Sequence, residues 1–321
     1  MNADSKVSLR DAFGEIVMQL AVDDPRLIVL DADLSQSTRT AVFRDKYPDR
    51  YLNVGIAEQN MVSVAAGIAL GGGVPLVNTF AAFLTRRAAD QIAMSVAYPN
   101  LDVKFFGFHA GVNLGEDGAT QQSVEDLGIM RVIPGIRVYS PCDARDLSWS
   151  MRKAINSHGP TYVRLARFPS PAVLGAEDST LGFRVLRRGE GSIVLTTGTL
   201  ASEVLDAAEH LAGEGVELTV IGVRQIKPLE LELVEQLGVR AASFAVVEEH
   251  NVHGGLADAA SELLDRCNVP HRIERIGIPD RFGESGSPRA LLEHLGLAGD
   301  ALISRLQQWD RSNKGHVDVS M

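Results

Sequence analysis

The sequence predicts an α/β protein built from two doubly wound domains, the first mainly parallel and the second smaller. The chain has 321 residues, of which 45% are hydrophobic, so it can bury two cores. Short apolar runs alternate with segments of helical periodicity along most of its length. This alternation is interrupted between Pro169 and Arg188, where proline, glycine and scattered charges predict a linker.

The first block opens with a predicted helix, because apolar residues recur at helical spacing from Val7 to Leu20 and Ser8 suits the N-cap. The apolar run Arg26–Leu30 then predicts a buried parallel strand. Further predicted strands are Tyr51–Val54, Val74–Asn78, Val103–Phe108, Arg137–Tyr139 and Thr161–Leu165. Predicted helices start at Glu58 and span Ala82–Tyr98, Ser123–Met130 and Asp143–Asn156. Such alternation indicates a parallel sheet covered on both faces.

The second block repeats the pattern with predicted strands at Ser192–Thr196, Leu218–Ile221, Phe244–Glu248 and Arg272–Ile276. Its helices are predicted to begin at Ala201, Leu229, Leu256, Pro288 and Ala298. We therefore place a first domain at residues 1–175, a linker at 176–190 and a second domain at 191–310. The polar tail 311–321 is predicted to be disordered.

Composition excludes several classes of function. The net charge of -10 argues against general binding to nucleic acid or to anionic membranes, which requires a basic face. The two cysteines, Cys142 and Cys267, are too few for a disulfide framework and lack the spacing of a metal site. Because the first residues lack a signal-peptide apolar region and no stretch approaches the length of a membrane span, we expect a cytoplasmic protein.

An isolated carboxylate, Glu58, follows a short apolar run and heads a segment rich in alanine and glycine. Small residues in this segment allow a helix to pack closely against a neighbour. A carboxylate in the first turn of a helix can simply stabilise the helix N-terminus, which is one interpretation. The other is a functional carboxylate, and this stretch alone leaves both open.

Several separate motifs occur in an order that resembles the C-terminal half of transketolase over essentially the whole chain. They are Asp31-Ala32-Asp33-Leu34, Val54-Gly55-Ile56-Ala57-Glu58-Gln59-Asn60-Met61, Thr79-Phe80-Ala81-Ala82-Phe83, Gly115-Glu116-Asp117-Gly118, Arg131-Val132-Ile133-Pro134-Gly135, Gly159-Pro160-Thr161-Tyr162-Val163-Arg164-Leu165, Glu248-Glu249-His250 with Gly254-Gly255, and Asp280-Arg281-Phe282-Gly283-Glu284-Ser285-Gly286. The resemblance implies a pyrimidine-binding domain followed by a transketolase C-terminal domain.

The same resemblance implies thiamine diphosphate as cofactor. Glu58 would hydrogen-bond the ring nitrogen of the aminopyrimidine, Phe80 and Phe83 would face that ring, and Asp33 belongs to the cofactor-binding motifs. In the family a preceding domain holds the diphosphate and its Mg²⁺ or Ca²⁺, and no segment here plays that part. We therefore expect the C-terminal subunit of a split enzyme, which needs an N-terminal partner subunit and assembles as an α2β2 heterotetramer.

Sugar-phosphate recognition is implied by Arg10, Ser37, His109 and Arg167, which match family positions at the mouth of the substrate channel. Asp117 matches a residue that contacts a substrate hydroxyl, although a Gly-flanked aspartate is also a common turn residue. Gln121 departs from the family, which usually has histidine there. Glutamine offers only neutral hydrogen bonding, which puts the usual pentose-phosphate specificity in doubt.

The resulting hypothesis is transfer of a two-carbon ketol unit from a ketose phosphate to an aldose, within carbohydrate metabolism. A subunit like 1-deoxyxylulose-5-phosphate synthase, or like the β subunit of a 2-oxo-acid dehydrogenase, is the first alternative. The phosphate-binding arginine positions and the Gly-Glu-Asp-Gly loop argue against the dehydrogenase. A non-catalytic scaffold subunit is an alternative of a different class.

Overall fold

Two sheets follow one another in the computed structural model, which describes residues 6–173 and 179–317. In chain order the strands are β1 (Leu27–Asp31), β2 (Tyr51–Asn53), β3 (Val74–Phe80), β4 (Lys104–Phe108), β5 (Arg137–Tyr139), β6 (Thr161–Leu165), β7 (Phe183–Arg187), β8 (Ile193–Thr196), β9 (Thr219–Val223), β10 (Gln225–Lys227), β11 (Phe244–Asn251) and β12 (Ile273–Ile278). The first sheet has the order β10-β5-β6-β4-β3-β1-β2, and the second has the order β12-β11-β8-β9-β7. Both sheets are parallel except for β10 and β7, so the predicted fold class is confirmed.

Helices cover the sheets. They are α1 (Leu9–Asp23), α2 (Ser35–Thr38), α3 (Ala41–Lys46), α4 (Glu58–Leu70), α5 (Ala81–Arg87), α6 (Asp126–Val132), α7 (Ala144–Ile155), α8 (Ala201–Gly213), α9 (Glu232–Leu237), α10 (Leu256–Arg266), α11 (Pro288–His294) and α12 (Gly299–Val317). The segment predicted as one helix after Ala82 divides into α5 and a π-helical segment, Gln91–Ala97. Within the described ranges, no helix combines the length and the apolar character that crossing a bilayer requires.

Helix α1 begins where the sequence predicts, and Ser8 is its N-cap. The Ser8 hydroxyl accepts a hydrogen bond from the Asp11 backbone N–H at 3.2 Å. The apolar face of the helix buries Phe13 completely, with its ring centroid 4.8 Å from that of Phe106 and 5.1 Å from that of Phe108. Packing against β4 therefore fixes α1, and with it Arg10, beside the end of that strand.

Replacing Ser8 with alanine tests this cap. We expect the Ser8→Ala variant to lose about 1 kcal/mol of free energy of unfolding, because one N–H in the first turn of the helix loses its acceptor. Urea unfolding followed by circular dichroism measures the loss. Threonine at this position keeps an acceptor oxygen and serves as the control, so an equal loss in Ser8→Thr would contradict the capping role.

Strand β7 lies within the segment 176–190, which is predicted to be a linker. That prediction is wrong for residues 183–187. The strand pairs antiparallel with β9 at the edge of the second sheet. Its polar character comes from Arg184, which is buried and makes an ion pair with Asp146 at 2.9 Å. A buried arginine resembles a linker residue in sequence because its partners lie far away along the chain.

Residues at the C-terminal end also differ from the prediction. Helix α12 continues through Val317, whereas disorder is predicted from Arg311. Hydrogen bonds attach the end of this helix to the residue that precedes β8: the Ser192 hydroxyl donates to the Asp310 carboxylate at 2.8 Å. Asn313 Nδ2 donates in turn to the Ser192 hydroxyl at 3.3 Å. Residues 318–321, the rest of the predicted tail, lie outside the described residues.

The register of the first sheet brings strand ends together. Phe80 at the end of β3 pairs with Phe108 at the end of β4, which pairs with Leu165 at the end of β6. In parallel α/β sheets, ligands bind beyond the carboxyl ends of the strands. The loops after these strands therefore form the edge on which a site can be built.

Candidate active site

Glu58 is the first residue of α4, and its side chain does not cap that helix. Ala57 occupies the N-cap position without a side-chain hydrogen bond. The Glu58 side chain is only 5% exposed, and its Oε1 lies 3.0 Å from Arg87 Nη1. Its carboxylate is therefore directed at the end of α5, which does not support capping as its main role.

Arg87 connects this carboxylate to an aromatic surface. Its guanidinium lies over the Phe83 ring, 4.1 Å from the ring centroid. Phe83 is stacked on Phe80, with centroids 5.3 Å apart and planes inclined by 22°. A surface depression of about 530 Å³ opens here and is lined by Ile56, Ala57, Glu58, Gln59, Asn60 and Arg87. Glu58 and Arg87 therefore border this open space, and Arg87 connects it to the stacked Phe83 and Phe80 rings.

His109 continues the aromatic row directly after β4. Its ring centroid lies 4.2 Å from that of Phe80, and its backbone φ is 57°, a left-handed conformation uncommon for a residue with a side chain. The residue is buried, and neither ring nitrogen has a hydrogen-bond partner among the described residues. Burial, together with the nearby charges of Arg167 and Arg10, lowers the pKa of His109 to about 3.

We therefore expect His109 to stay neutral across the physiological range, because its pKa lies far below the 6.5 of a free imidazole. In a titration of the isotopically labelled subunit followed by NMR, the imidazole shifts of His109 should stay constant between about pH 5 and 8. The His109→Asn variant identifies the signal. A midpoint near the value of free histidine in that signal would contradict the buried, neutral imidazole.

Arg10 and Arg167 provide positive charge beside His109. Arg10 lies in the first turn of α1, and its buried Nε has no hydrogen-bond partner among the described residues. Burial is the largest cause that lowers the pKa of Arg10, and Arg39 and Arg167 add to the effect through like-charge repulsion. Arg167 Nη1 lies 3.3 Å from Asp117 Oδ2. An anionic ligand would relieve the repulsion among these cations.

The other predicted residues lie around this group with differing contacts. Asp33 is exposed, has a positive φ of 64° and exchanges two hydrogen bonds of 3.1 Å with the side chain of Asn53. Ser37 is partly buried in the short helix α2. Gln121 is partly buried, and its backbone N–H donates to Gly118 O at 3.1 Å. Contacts thus connect Glu58 to His109 through Arg87 and the two phenylalanines. Arg167, which pairs with Asp117, influences His109 through its charge. Asp33, Ser37 and Gln121 lie outside these contacts.

Sequence reasoning missed two arginines of this site. Arg87 follows Phe83 at a spacing of four, which places both on one helix face, and this spacing is the signal that could have revealed it. Arg39 has a positive φ of 61°, and its Nε lies 2.6 Å from Asp11 Oδ1. Arg39 comes close to Arg10 only in the folded chain, so its charge adds to that of Arg10 without any local sequence pattern that would predict it.

Comparison with known families explains this arrangement. Residues 5–169 match the transketolase pyrimidine-binding domain, and residues 182–302 match the transketolase C-terminal domain. The chain belongs to the transketolase family. The predicted resemblance is therefore confirmed, and it covers both domains of the fold.

Some relatives have a length similar to that of this chain. It is 39% identical over 298 residues to the 6-deoxy-6-sulfo-D-fructose transketolase subunit of Clostridium sp. strain MSTE9, covering 92% of each. It is 36% identical to a putative transketolase C-terminal section of Methanocaldococcus jannaschii, covering 94% of this chain and 95% of that one. A solved split-gene transketolase, described as an inactive β4 tetramer, superposes with a TM-score of 0.85 at 37% identity, covering 94% of this chain and 98% of that one.

In this transketolase-family chain, the fold explains why the site is assembled where it is. The carboxyl ends of β3, β4 and β6 supply Phe80, His109 and Arg167 from neighbouring strands of one sheet. The N-termini of α1 and α4 supply Arg10 and Glu58 from the same edge. Residues far apart along the sequence are thus brought to one border of the pyrimidine-binding domain.

Proposed function

We propose that this chain is the C-terminal subunit of a split, thiamine-diphosphate-dependent transketolase that transfers a two-carbon ketol unit from a ketose phosphate to an aldose. The observation that carries the proposal is Glu58, a buried carboxylate at a helix start that does not occupy the N-cap position and is connected through Arg87 to the stacked Phe83 and Phe80 rings. Family membership supports the cofactor, and the names of the related split subunits support the division into two chains.

The residues present fit the aminopyrimidine half of the cofactor. Phe83 and Phe80 provide flat apolar surface on which an aromatic ring gains stacking, and Glu58 provides a carboxylate for a ring nitrogen. When bound, thiamine diphosphate supplies an electron sink for the carbanion that forms when the ketose is cleaved. The partner subunit would hold the diphosphate and the Mg²⁺ or Ca²⁺, and the two kinds of chain would form an α2β2 heterotetramer.

Glu58 and Arg87 would then have separate roles toward the cofactor. The Glu58 carboxylate would hold the ring nitrogen of the cofactor through a hydrogen bond, and its burial would strengthen that bond by limiting competition from water. The Arg87 guanidinium, which contacts both Glu58 and Phe83, orients the carboxylate toward the aromatic face.

Substrate binding is assigned to the charged end of the site. Arg10 and Arg167 would bind the terminal anion of the sugar, since a guanidinium donates charge-assisted hydrogen bonds in a fixed fork. The neutral His109 would hydrogen-bond a substrate hydroxyl through its unpartnered nitrogens. Asp117 would accept a hydrogen bond from another hydroxyl, Gln121 and Ser37 would border the substrate channel, and Asp33 would contribute to cofactor binding.

The identity of the donor is tested by a matched panel of sugars. The chain is purified with the partner subunit that carries the diphosphate and metal site, and is then assayed with fructose 6-phosphate, 6-deoxy-6-sulfofructose and a 2-oxo acid. We expect two-carbon transfer from a donor with a terminal tetrahedral anion, and the first two compounds show whether phosphate or sulfonate is preferred. Decarboxylation of the 2-oxo acid without cleavage of either sugar would contradict the proposal.

A further inference from the structure

Three consecutive polar residues near the end of β11, Glu248, Glu249 and His250, are all buried and have different tasks. Both carboxylate oxygens of Glu248 accept hydrogen bonds from the start of α10, at 2.7 Å from Leu256 N and 3.1 Å from Ala257 N. His250 Nε2 accepts from Gly128 N at 3.2 Å. The side chain of Glu249 instead reaches the loop that follows β4 in the first domain.

Glu249 holds that loop directly. Its Oε1 accepts a hydrogen bond from the Asn113 backbone N–H at 2.7 Å. Gly111 lies against the same carboxylate, and a Cβ at this position would be 2.3 Å from Glu249 Oε1. Gly111 also has a φ of +77°, so both its conformation and its closeness to Glu249 require glycine. The second domain therefore reaches the backbone of residues 111–113 at close range.

Residues of the first domain also form hydrogen bonds with this loop. Asn113 Oδ1 accepts from Phe168 N at 2.9 Å, and Arg167 Nη1 donates to Leu114 O at 3.1 Å. Arg167 also contacts Asp117, further along the loop. The segment that begins at His109 and carries the residues assigned to the substrate is thus clamped between Arg167 and Glu249.

We propose that Glu249 is a positioning residue for the substrate loop, residues 109–122, and acts through the Asn113 N–H to hold Asp117 and Gln121 in place beside Arg167. The inference rests on the proposed function, because it assumes that this loop binds the sugar. Glu249 touches neither Glu58 nor the aromatic row. Its effect should therefore fall on binding of the sugar rather than on activation of the cofactor.

The contact between Glu249 and the Asn113 N–H, called the clamp below, should depend on pH because Glu249 can be protonated. Burial raises the pKa of Glu249 to about 7. The rise is opposed by Arg164 on β6 and by the loop's own N–H groups at Asn113 and Val112, whereas Asp126 on α6 adds to it. A carboxyl released into water would titrate near its usual value, so the clamped loop binds more protons than the open one. The clamp is thus strongest at low pH and weakens as pH rises from about 4.5 to about 7, above which it stays constant.

The test compares Glu249→Leu, Glu249→Gln and the neighbouring Glu248→Gln in the complete two-subunit enzyme. Leucine leaves the Asn113 N–H without its acceptor, so we expect the KM for the ketose phosphate to rise about tenfold with a smaller change in kcat. Glutamine keeps an acceptor oxygen and should restore the KM. Glu248→Gln is the control, because this side chain is equally buried and, among the residues that the structure describes, its hydrogen bonds go to the start of α10. It should therefore leave the KM unchanged.

Hydrogen exchange of residues 109–122 in the complex gives a readout that does not need activity. Exchange corrected for its intrinsic pH dependence should be faster in Glu249→Leu. In the wild type, protection should fall between about pH 5 and 7, and it should be independent of pH in Glu249→Gln. The inference is overturned if Glu249→Leu leaves KM and loop exchange unchanged, if Glu248→Gln raises KM equally, or if Glu249→Gln retains the wild-type pH dependence. An inactive wild-type enzyme would instead overturn the proposed function, while loop exchange would still test the clamp.

Discussion

The Glu58→Gln variant is expected to lose turnover by about 10²- to 10⁴-fold while it still assembles with the partner subunit. Glutamine has nearly the same shape as glutamate, so packing at the start of α4 is retained. Its amide cannot share a proton with a ring nitrogen as a carboxylate does, so the chemical step loses its proton-transfer partner. Steady-state assays of the reconstituted complex measure kcat, and analytical ultracentrifugation measures assembly.

A matched control for this prediction is Glu209→Gln, an exposed glutamate on α8 in the second domain. It removes the same charge far from the site and should leave kcat unchanged. If Glu58→Gln turned over like this control, the catalytic assignment of Glu58 would fail and the scaffold hypothesis would gain support. If Glu58→Gln failed to assemble, Glu58→Asp would separate the two effects, because aspartate keeps the charge.

Arg10→Ala and Arg167→Ala are each expected to reduce kcat/KM for a phosphorylated donor by roughly 10- to 150-fold, mainly through KM. This range corresponds to losing one charge-assisted hydrogen bond of about 1.5–3 kcal/mol. Lysine at either position should restore only part of the loss, since an ammonium lacks the planar fork of arginine. Initial rates over a series of donor concentrations measure both constants.

The decisive comparison for these arginines uses a donor without the terminal phosphate. Its kcat/KM should be low with the wild type and nearly unaffected by Arg10→Ala. Arg167→Ala should lower it less than it lowers the value for the phosphorylated donor, because Arg167 also holds the loop through Leu114 O and Asp117. An additional loss with the phosphorylated donor therefore reports a contact with the phosphate. Arg266→Ala, at an exposed position on α10, controls for a general change of surface charge. Equal losses with both donors would show that Arg10 and Arg167 do not bind the phosphate.

Most of the fold can be predicted from local sequence patterns. The alternation of apolar runs with helical periodicity predicts the parallel strands β1, β3, β4 and β6, and the Ser8 cap predicts the start of α1. The two antiparallel strands were missed for different reasons. In β7 the buried Arg184 hides the strand pattern, whereas β10 has only three residues and joins the first sheet by pairing with β5, far away along the chain. Neither the distant ion pair nor the distant strand partner is visible in a short window of sequence.

The candidate site shows the same division between local and distant information. Motifs single out Glu58, Phe80 and Phe83, and the structure places them around one depression together with Arg87. The role of Arg87 depends on its contact with a carboxylate 29 residues away, and that of Glu249 depends on a loop 136 residues away. Sequence reasoning therefore finds residues whose type is unusual at their own position and misses those that only the fold brings to the site.

The contact between Glu58 and the cofactor ring is the central claim, and a cycle that alters both partners tests it most directly. The wild-type and Glu58→Gln complexes are each assayed with thiamine diphosphate and with an analogue in which CH replaces the ring nitrogen assigned to Glu58. We expect either change alone to abolish most of the turnover and the two together to cause no further loss, because both remove the same hydrogen bond. Losses that multiply in the doubly altered complex would show that Glu58 and that nitrogen act independently, which would contradict the proposed site.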